Sequence, residues 1–214
     1  FYITRYEALP INSWNQAAEF NMKGKLIVIT GLDGSGTTTL ARNLHELDKG
    51  SHLLRTPDFP FDQGRELIDS LVREKSQPAH YLYYLSSVIH ASARIEEMLK
   101  TGNVYCVRYL IDTVVSHRVA GLDVDMIYNG GFYNIRKPDL TIFVSVNENI
   151  RQERITSRGK GLLDKVLDHD STRHRFEEEF NRLSSHFVTI DNSNTTHDQF
   201  VNEATKYISW IKYD

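Results

Sequence analysis

One stretch near the N-terminal end, residues 25–47, constrains the fold more than any other part of the chain. Residues 25–30 read K-L-I-V-I-T, a continuous apolar run that is typical of a strand buried on both faces. A glycine-rich segment, G-L-D-G-S-G-T-T, occupies residues 31–38. Leu40, Leu44 and Leu47 then recur at helical spacing. The stretch therefore predicts a buried strand that turns into a helix through a glycine loop.

Short β-branched runs alternate with longer helical patterns along the rest of the chain. Further strand candidates lie at residues 52–55, 104–107, 139–146 and 187–190. Helical patterns cover residues 62–75, 78–100, 147–158, 172–183 and about 200–211. The long helix has an inner stripe formed by Leu85, Ile89, Ser92, Ile95 and Leu99. This alternation predicts an α/β fold, a three-layer sandwich with a five-stranded parallel sheet. Periodicity leaves the strand order open.

Composition limits the classes of protein and of partner. The 214 residues suit one α/β domain, which we place at residues 23–214, with residues 1–22 as an N-terminal extension. A net charge of -3 predicts no general attraction to nucleic acid or to an acidic membrane. Cys106 is the one cysteine, which favours a reducing compartment, and no apolar run approaches the roughly 18 residues of a membrane span. We expect a cytoplasmic protein and leave import into an organelle open.

The glycine segment has the spacing of a phosphate-binding loop. Gly31 and Gly36 occupy the two glycine positions of G-x-x-x-x-G-K-[S/T], and Thr38 occupies the hydroxyl position that binds Mg²⁺. Glycines let main-chain N–H groups curl around phosphate oxygens, and the helix that follows adds the positive end of its dipole. The predicted nucleotide-binding residues are Gly31, Gly34, Ser35, Gly36, Thr37, Thr38 and Thr39.

The lysine of this pattern is absent, and Thr37 stands in its place. Losing one charge-assisted contact costs about 1.5–3 kcal/mol of binding, and more in a transition state that depends on charge stabilisation. Two other interpretations therefore stay open. In the first, the segment is a turn that only joins the strand to the helix. In the second, it is a loop that binds nucleotide without catalysing its reaction.

Several further motifs follow in an order that is similar to one known family. Residues 55–58, R-T-P-D, resemble its Arg-x-Pro motif, and residues 107–109, V-R-Y, resemble its Asp-Arg-Tyr motif. Residues 138–144, P-D-L-T-I-F-V, match its Pro-Asp-Leu strand, and residues 153–159, E-R-I-T-S-R-G, resemble the start of its lid. With the glycine loop, these motifs make the chain from about residue 25 onward resemble the thymidylate kinases, which make dTDP from dTMP and ATP.

The resemblance implies a P-loop nucleoside-monophosphate kinase that uses ATP and Mg²⁺, with a lid at approximately residues 154–172. It further implies that Asp33 faces the acceptor sugar and that Arg55 and Arg108 hold the acceptor phosphate. Tyr83 or Tyr84 is expected over the base. The catalytic candidates are Arg154, Arg158 and Thr37, and the candidate metal ligand is Thr38. Because the family is commonly homodimeric, the resemblance also implies a homodimer, although the residues alone leave the oligomeric state open.

Each of these residues also has a structural interpretation. Arg108 has Asp112 nearby as an ion-pair partner, and the two tyrosines have the spacing of core residues. Arg151, Arg154 and Arg158 share a helical face that solvent alone would explain. Histidines 90 and 117 lie near enough in the pattern to reach a base edge, and a buried or exposed structural role is the alternative for both.

The departures from the family define three hypotheses. Thr37 replaces the lysine, Val107 replaces the aspartate of Asp-Arg-Tyr, and residues 86–90, S-S-V-I-H, lack the arginine that reads thymine. The first hypothesis is a phosphotransferase that acts on a nucleoside monophosphate. The second is a binding or regulatory protein that keeps the scaffold without turnover. The third is phosphoryl transfer to a phosphate that is not a nucleotide.

Overall fold

A computed structural model describes residues 24–159 and 169–211, and all structural statements below refer to these residues. Its strands are β1 (Leu26–Thr30), β2 (His52–Arg55), β3 (Val104–Val107), β4 (Leu140–Ser145) and β5 (Val188–Asp191). They form one parallel sheet in the order β2-β3-β1-β4-β5. The predicted α/β fold with a five-stranded parallel sheet is confirmed.

The described helices are α1 (Thr37–Leu47), α2 (Phe61–Leu71), α3 (Gln77–Leu99), α4 (Leu110–Val119), α5 (Glu148–Arg158), α6 (Asp170–Arg182) and α7 (His197–Trp210). A short 3₁₀ helix, Ser184–His186, precedes β5. Long helix α3 begins as its sequence indicates, because the Ser76 side chain accepts from the Ala79 N–H and Pro78 lies in the first turn. Its inner stripe is buried at Leu85, Ser92, Ile95 and Leu99, with Ile89 half-buried beside them.

The sheet is covered on both faces, which makes three layers. Along β1, Leu26 and Val28 pack into the core that α3, α4 and α6 complete. Ile27 and Ile29 pack into the opposite core, which α1 and α7 complete. Every residue of β1 is therefore buried, which explains its continuous apolar run.

Two helix predictions need correction. Helix α2 ends at Leu71, short of the predicted residue 75. Helix α4 was not predicted at all. It is buried around most of its circumference, at Leu110, Ile111, Thr113, Val114, Val115, His117 and Val119. A helix with so little exposed face shows no amphipathic period, and its valines and isoleucine favour a strand interpretation.

Some predictions concern residues outside the described ranges. These are the N-terminal extension at residues 1–22 and the central part of the predicted lid, residues 160–168. The described start and end of that lid belong to α5 and α6. Within the described residues, no helix has the length and apolar character that crossing a bilayer requires.

The topology brings the loops after the strands to one edge of the sheet. Since β1 lies between β3 and β4, the chain leaves β1 at the point where the strand order reverses direction. Ligands of open parallel sheets bind at such a point, outside the carboxyl ends of the strands. The loop after β1 is the glycine segment. Arg55 is the last residue of β2, and Arg108 directly follows β3.

Candidate active site

The glycine segment forms a tight loop between β1 and α1. Gly31, Gly34 and Gly36 have φ angles of 152°, 89° and 106°, which side-chain-bearing residues rarely adopt. A Cβ at Gly31 would lie 2.5 Å from the Val144 carbonyl oxygen, and one at Gly36 would lie 2.5 Å from Asn192 Nδ2. The loop is therefore packed against β4 and the loop after β5, and only glycine fits at these positions.

The first turn of α1 opens into this loop. No side chain caps its N-terminus, where Gly36 is the N-cap residue, so the free N–H groups of the helix are available to an anion. Thr37 is buried, Thr38 is half-buried and Thr39 is exposed. The Ser35 hydroxyl is buried and has no hydrogen-bond partner within the described residues. This combination fits a polyphosphate group.

Two arginines hold the loop from behind through its carbonyl groups. Arg151 is 1% exposed and donates from Nε and Nη2 to the Glu148 carboxylate. Its Nη1 donates to the Asp33 carbonyl oxygen over 2.9 Å. Arg154 donates to the Ser35 carbonyl oxygen over 3.2 Å and to the Asn192 carbonyl oxygen over 3.0 Å. Because carbonyls that bind arginines point outward, the adjoining N–H groups are left to line the cradle.

These contacts bear on the predicted roles of the α5 arginines. The guanidinium of Arg154 is engaged by main-chain oxygens of the loop, and Arg151 is buried with it. Arg158 is exposed at the end of α5, yet its charge acts on Asp33 and on Arg55. The catalytic role of Arg158 therefore stays a prediction, with its charge acting on the loop residue Asp33.

A cluster of arginines surrounds Asp33 next to the loop. Arg108 Nη2 lies 2.7 Å from Asp33 Oδ1, and its Nη1 lies 3.3 Å from Asp112 Oδ1. Burial would raise the pKa of Asp33, but the charges of Arg108, Arg158, Arg65 and Arg55 outweigh it and hold that pKa below its ordinary value. Arg108 therefore forms the ion pair with Asp112 that its spacing suggested, and it binds the loop residue Asp33 as well.

The cluster carries more positive charge than its carboxylates neutralise. The pKa of Arg55 is lowered, first by burial and then by the like charges of Arg108 and Arg65. Positive charge gathered so closely around Arg55 that it lowers the pKa of that side chain suits a multiply charged anion. Arg65, on α2, also belongs to this cluster. It lies in none of the sequence motifs described above, so no sequence pattern indicated this role.

The main chain at Arg108 is held in an unusual conformation. Its φ angle is 65°, in the left-handed region that residues other than glycine seldom occupy. The Arg108 N–H donates to the Ile29 carbonyl oxygen. The Arg108 carbonyl oxygen accepts from the Thr56 hydroxyl over 3.0 Å. Asp112 in turn accepts from Thr30 Oγ1 and from the Tyr109 N–H, which fixes the start of α4. This strained turn aims Arg108 at Asp33.

A cavity of about 290 Å³ extends from the loop between α2, α3, α4 and α6. Tyr84 lines it, whereas Tyr83 donates to the Phe61 carbonyl oxygen and packs its ring against Phe61 and Gly64. The structure thus brings one of the two candidate tyrosines to the cavity. His117 lines it as well, and His90 contacts the Phe59 carbonyl oxygen instead.

The cavity also contains residues that sequence reasoning missed. They are charged or polar, and they come from α2, the turn after it, the start of α3 and α6: Arg65, Arg73, Gln77, His80, Thr172 and Arg175. No short motif connects these positions, because helix packing brings them together.

Comparisons with known proteins show the family of the chain. The family model for thymidylate kinase matches residues 29–203. The chain belongs to the thymidylate kinase family. A probable thymidylate kinase of Methanococcus maripaludis is 28% identical over a 189-position alignment that covers 84% of this chain and 92% of that protein. One of Methanocaldococcus jannaschii is 26% identical over 198 residues, 87% and 97% of the two chains.

Solved structures agree on the fold of this thymidylate kinase family member. Thymidylate kinase from Candida albicans matches with a TM-score of 0.67 and 22% identity, over 89% of this chain and 93% of that one. The enzyme from Ehrlichia chaffeensis matches with a TM-score of 0.58 and 17% identity, over 88% and 98%. Family membership makes the chain a nucleoside-monophosphate kinase, and the family in general uses ATP and Mg²⁺.

The residues present fit such a magnesium-nucleotide. Within residues 24–159 and 169–211, no group of three His, Cys, Asp or Glu side chains could hold a metal ion alone. Mg²⁺ in kinases is commonly held by one or two protein oxygens together with substrate phosphates, so such a group is not required. Thr38, half-buried in the first turn of α1, would supply a hydroxyl for that purpose.

Proposed function

We propose that this chain transfers the γ-phosphoryl group of ATP to the phosphate of a nucleoside monophosphate. The observation that supports it best is the arginine cluster around Asp33, directly beside the glycine loop. The loop offers N–H groups to the polyphosphate of the donor. The cluster offers surplus positive charge to the phosphate of the acceptor, within reach of the same loop.

The reaction needs little besides alignment and charge. An acceptor phosphate oxygen attacks the γ-phosphorus of ATP, a new P–O bond forms, and the bond to the β–γ bridging oxygen breaks to release ADP. Arg55 and Arg108 hold the acceptor phosphate, and Arg65 extends the positive wall toward the base. Arg158 is the side chain proposed to neutralise the transferring group. Mg²⁺, held through Thr38, supplies further charge neutralisation when bound.

The choice of acceptor base is proposed to differ from that of typical thymidylate kinases. Ser87 lies in the segment without the family arginine, is fully buried, and donates to the Tyr84 carbonyl oxygen, so it does not read a base. Arg73, Gln77 and Ser116 line the cavity instead. A base edge would then meet donors from the start of α3 and from α4.

Turnover assays across several acceptors test the proposal. Release of ADP from Mg-ATP is followed with each common ribonucleoside and deoxyribonucleoside monophosphate, and with simple sugar phosphates as a second class. Saturable turnover of at least one nucleotide is expected. Turnover of sugar phosphates alone would move the activity to a non-nucleotide acceptor, and Mg-ATP binding without any turnover would contradict the proposal.

A protein that binds nucleotide without turnover is the second candidate, and two positions favour it. Thr37 is buried and brings no charge to the loop, and Val107, 2% exposed, replaces a family aspartate. The structure also shows Arg151 and Arg154 engaged by main-chain carbonyls behind the loop. Those two guanidinium groups are therefore not available to replace the charge of the missing lysine.

Restoring the lysine discriminates between the two candidates. We expect Thr37→Lys to raise kcat about tenfold with the best acceptor, because an ammonium group would stabilise charge on the transferring phosphate. Glu46→Lys, on an exposed position in the last turn of the same helix, is the control and should leave kcat within about twofold. If Thr37→Lys creates turnover where the natural chain has none, the chain is a pseudoenzyme limited by this one charge.

Neighbouring tyrosines provide a test of the acceptor side. Tyr84→Leu is expected to raise the acceptor KM about tenfold or more, because stacking on a base is worth about 1–3 kcal/mol. Tyr83→Leu, one residue earlier and outside the cavity lining, should change the acceptor KM by less than about threefold. Equal effects on KM would place both rings, or neither, against the base.

A further inference from the structure

A chain of hydrogen bonds runs beside the acceptor cavity and joins α2, α3 and α4. Asp69 Oδ1 accepts from Tyr84 Oη over 2.8 Å and lies 2.9 Å from His80 Nε2. His80 Nδ1 lies 2.8 Å from His117 Nε2, and His117 Nδ1 lies 2.7 Å from the Thr113 carbonyl oxygen. Asp69, His80 and His117 are 7%, 4% and 1% exposed. Water therefore competes little for these contacts.

Counting protons shows what this chain requires. The two ends, a carboxylate and a carbonyl, can only accept, and three contacts separate them: carboxylate to His80, His80 to His117, and His117 to the carbonyl. Each contact needs one hydrogen, so the two imidazoles need three. A neutral pair carries only two, and one short contact would then join two lone pairs. The complete chain therefore holds one proton more than two neutral histidines.

The location of that proton follows from the surroundings. Burial lowers the pKa of His117 to about 4, and the carboxylate that can compensate a positive charge lies at the other end of the pair, next to His80. Burial would raise the pKa of Asp69, but hydrogen bonds from His80 and Tyr84, with the charges of Arg73 and Arg65, hold it below its ordinary value. An imidazolium and a carboxylate thus compensate each other inside the protein.

The other groups around the pair keep their charge across the neutral range. Each element packed around His80 and His117 brings charged or titratable side chains to these histidines, to the Asp69 carboxylate or to the acceptor cavity. They are Asp69 and Arg65 of α2, Arg73 of the following turn, Tyr81 and Tyr84 of α3, and Arg175 of α6. Arginines stay protonated. Burial raises the pKa of Tyr81, and that of Tyr84 to about 12.

We propose that His80 and His117 are positioning residues of the acceptor site, and that they act through one shared additional proton. With that proton present, Asp69 is neutralised and free to orient Tyr84 through its hydroxyl. Arg65 Nε donates to the same hydroxyl over 3.2 Å and lies 3.5 Å from Asp69 Oδ2. The two histidines thereby align the Tyr84 ring, on the side of the base, with the Arg65 guanidinium, on the side of the phosphate. This inference rests on the proposed function, since it assigns that cavity to the acceptor.

Loss of the shared proton has a defined consequence. Either the contact to Asp69 or the contact between the rings loses its hydrogen, and Asp69 then draws Arg65 and Arg73 toward itself. Affinity for the acceptor should fall about tenfold as pH rises through this titration, which corresponds to one or two lost buried hydrogen bonds. Affinity for Mg-ATP should not follow it, because the glycine loop makes no contact with the pair.

Nitrogen NMR of the full chain with labelled histidines measures the proton count directly. His80→Gln and His117→Gln assign the signals. Three of the four ring nitrogens should carry a proton at about pH 6, with a single titration toward two at higher pH. Two protonated nitrogens over the whole range would overturn the proposal.

Calorimetry tests the positioning role with the common ribonucleoside or deoxyribonucleoside monophosphate that gives the lowest Kd at about pH 6. The Kd of the natural chain should rise about tenfold across the pH interval that NMR defines. His117→Phe, which removes both ring nitrogens, should raise the Kd about tenfold at low pH, while His117→Gln, whose amide accepts from His80 and donates to Thr113, should stay within about threefold. His90→Gln, on the same helix but bound to the Phe59 carbonyl, should keep the natural profile.

A flat Kd across the titration, or an equal loss of Mg-ATP affinity in His117→Phe, would overturn the positioning role and leave only a structural one. Neither NMR nor calorimetry needs turnover. Failure of the proposed function in the kinase assay is therefore distinguished from failure of this inference.

Discussion

Replacing Arg108 by methionine is expected to lower kcat/KM for the acceptor by about 100- to 1,000-fold, the range found when one preorganised charge donor is removed from an active site. Arg108 is the centre of the cluster, since it bridges Asp33 and Asp112 and its charge influences Arg55. Methionine keeps most of the length and none of the charge. Steady-state kinetics with the acceptor varied at saturating Mg-ATP measures the effect.

Arg118→Met is the matched control for this change. Arg118 has nearly the same exposure as Arg108, 22% against 21%, and also faces two carboxylates, Asp125 and Glu179. It lies outside the cavity lining. Both variants should lose stability to a similar degree, but only Arg108→Met should lose acceptor kcat/KM. Similar kinetic losses in the two variants would mean that the arginine cluster does not bind the acceptor.

Replacing Gly36 by valine is expected to weaken Mg-ATP binding about 100-fold. At a φ of 106° a β-branched residue is strained, and its Cβ would meet Asn192 Nδ2 at 2.5 Å. Asn192 donates to the Ser35 carbonyl oxygen over 2.7 Å, so displacing it releases the loop carbonyl that it holds. The N–H groups of the cradle would then no longer converge. Titration calorimetry with Mg-ATP measures the loss.

Gly50→Val separates that effect from backbone strain. Gly50 has a φ of 91°, yet nothing lies within 4 Å of the position of its Cβ, and it belongs to the turn before β2. Both valines should therefore cost about 1–2 kcal/mol of folding stability through strain. Only Gly36→Val should weaken nucleotide binding. An unchanged Kd in Gly36→Val would show that the loop geometry is not what binds ATP.

The sheet was predictable because its strands carry the signal of double-sided burial. The apolar run in β1 and the Pro-Asp-Leu strand β4 are buried on both faces, and no competing period obscures them. Helix α4 was not predictable, since burial on nearly all sides removes the amphipathic pattern on which helix recognition depends. The strand order was not predictable either, because it depends on crossover connections rather than on local pattern.

The site divides in the same way. The glycine loop is local, so its spacing alone indicated a phosphate cradle, and the structure places Gly31, Gly34 and Gly36 in one turn. Arg65 joins Arg108 only through the packing of α2 against the sheet edge, and no spacing reveals this. Tyr83 and Tyr84 differ by one residue, about 100° around the helix, and only the rotation of α3 decides which ring lines the cavity.

The central claim is that main-chain N–H groups and an open helix end bind polyphosphate although the loop lysine is absent. Calorimetric titration of the natural chain with Mg-ATP, with Gly36→Val alongside, tests this most directly. We expect saturable binding with a Kd of about 1 μM to 1 mM, the range of typical enzyme KM values, and loss of that binding in the variant. No heat of binding at millimolar Mg-ATP would contradict it.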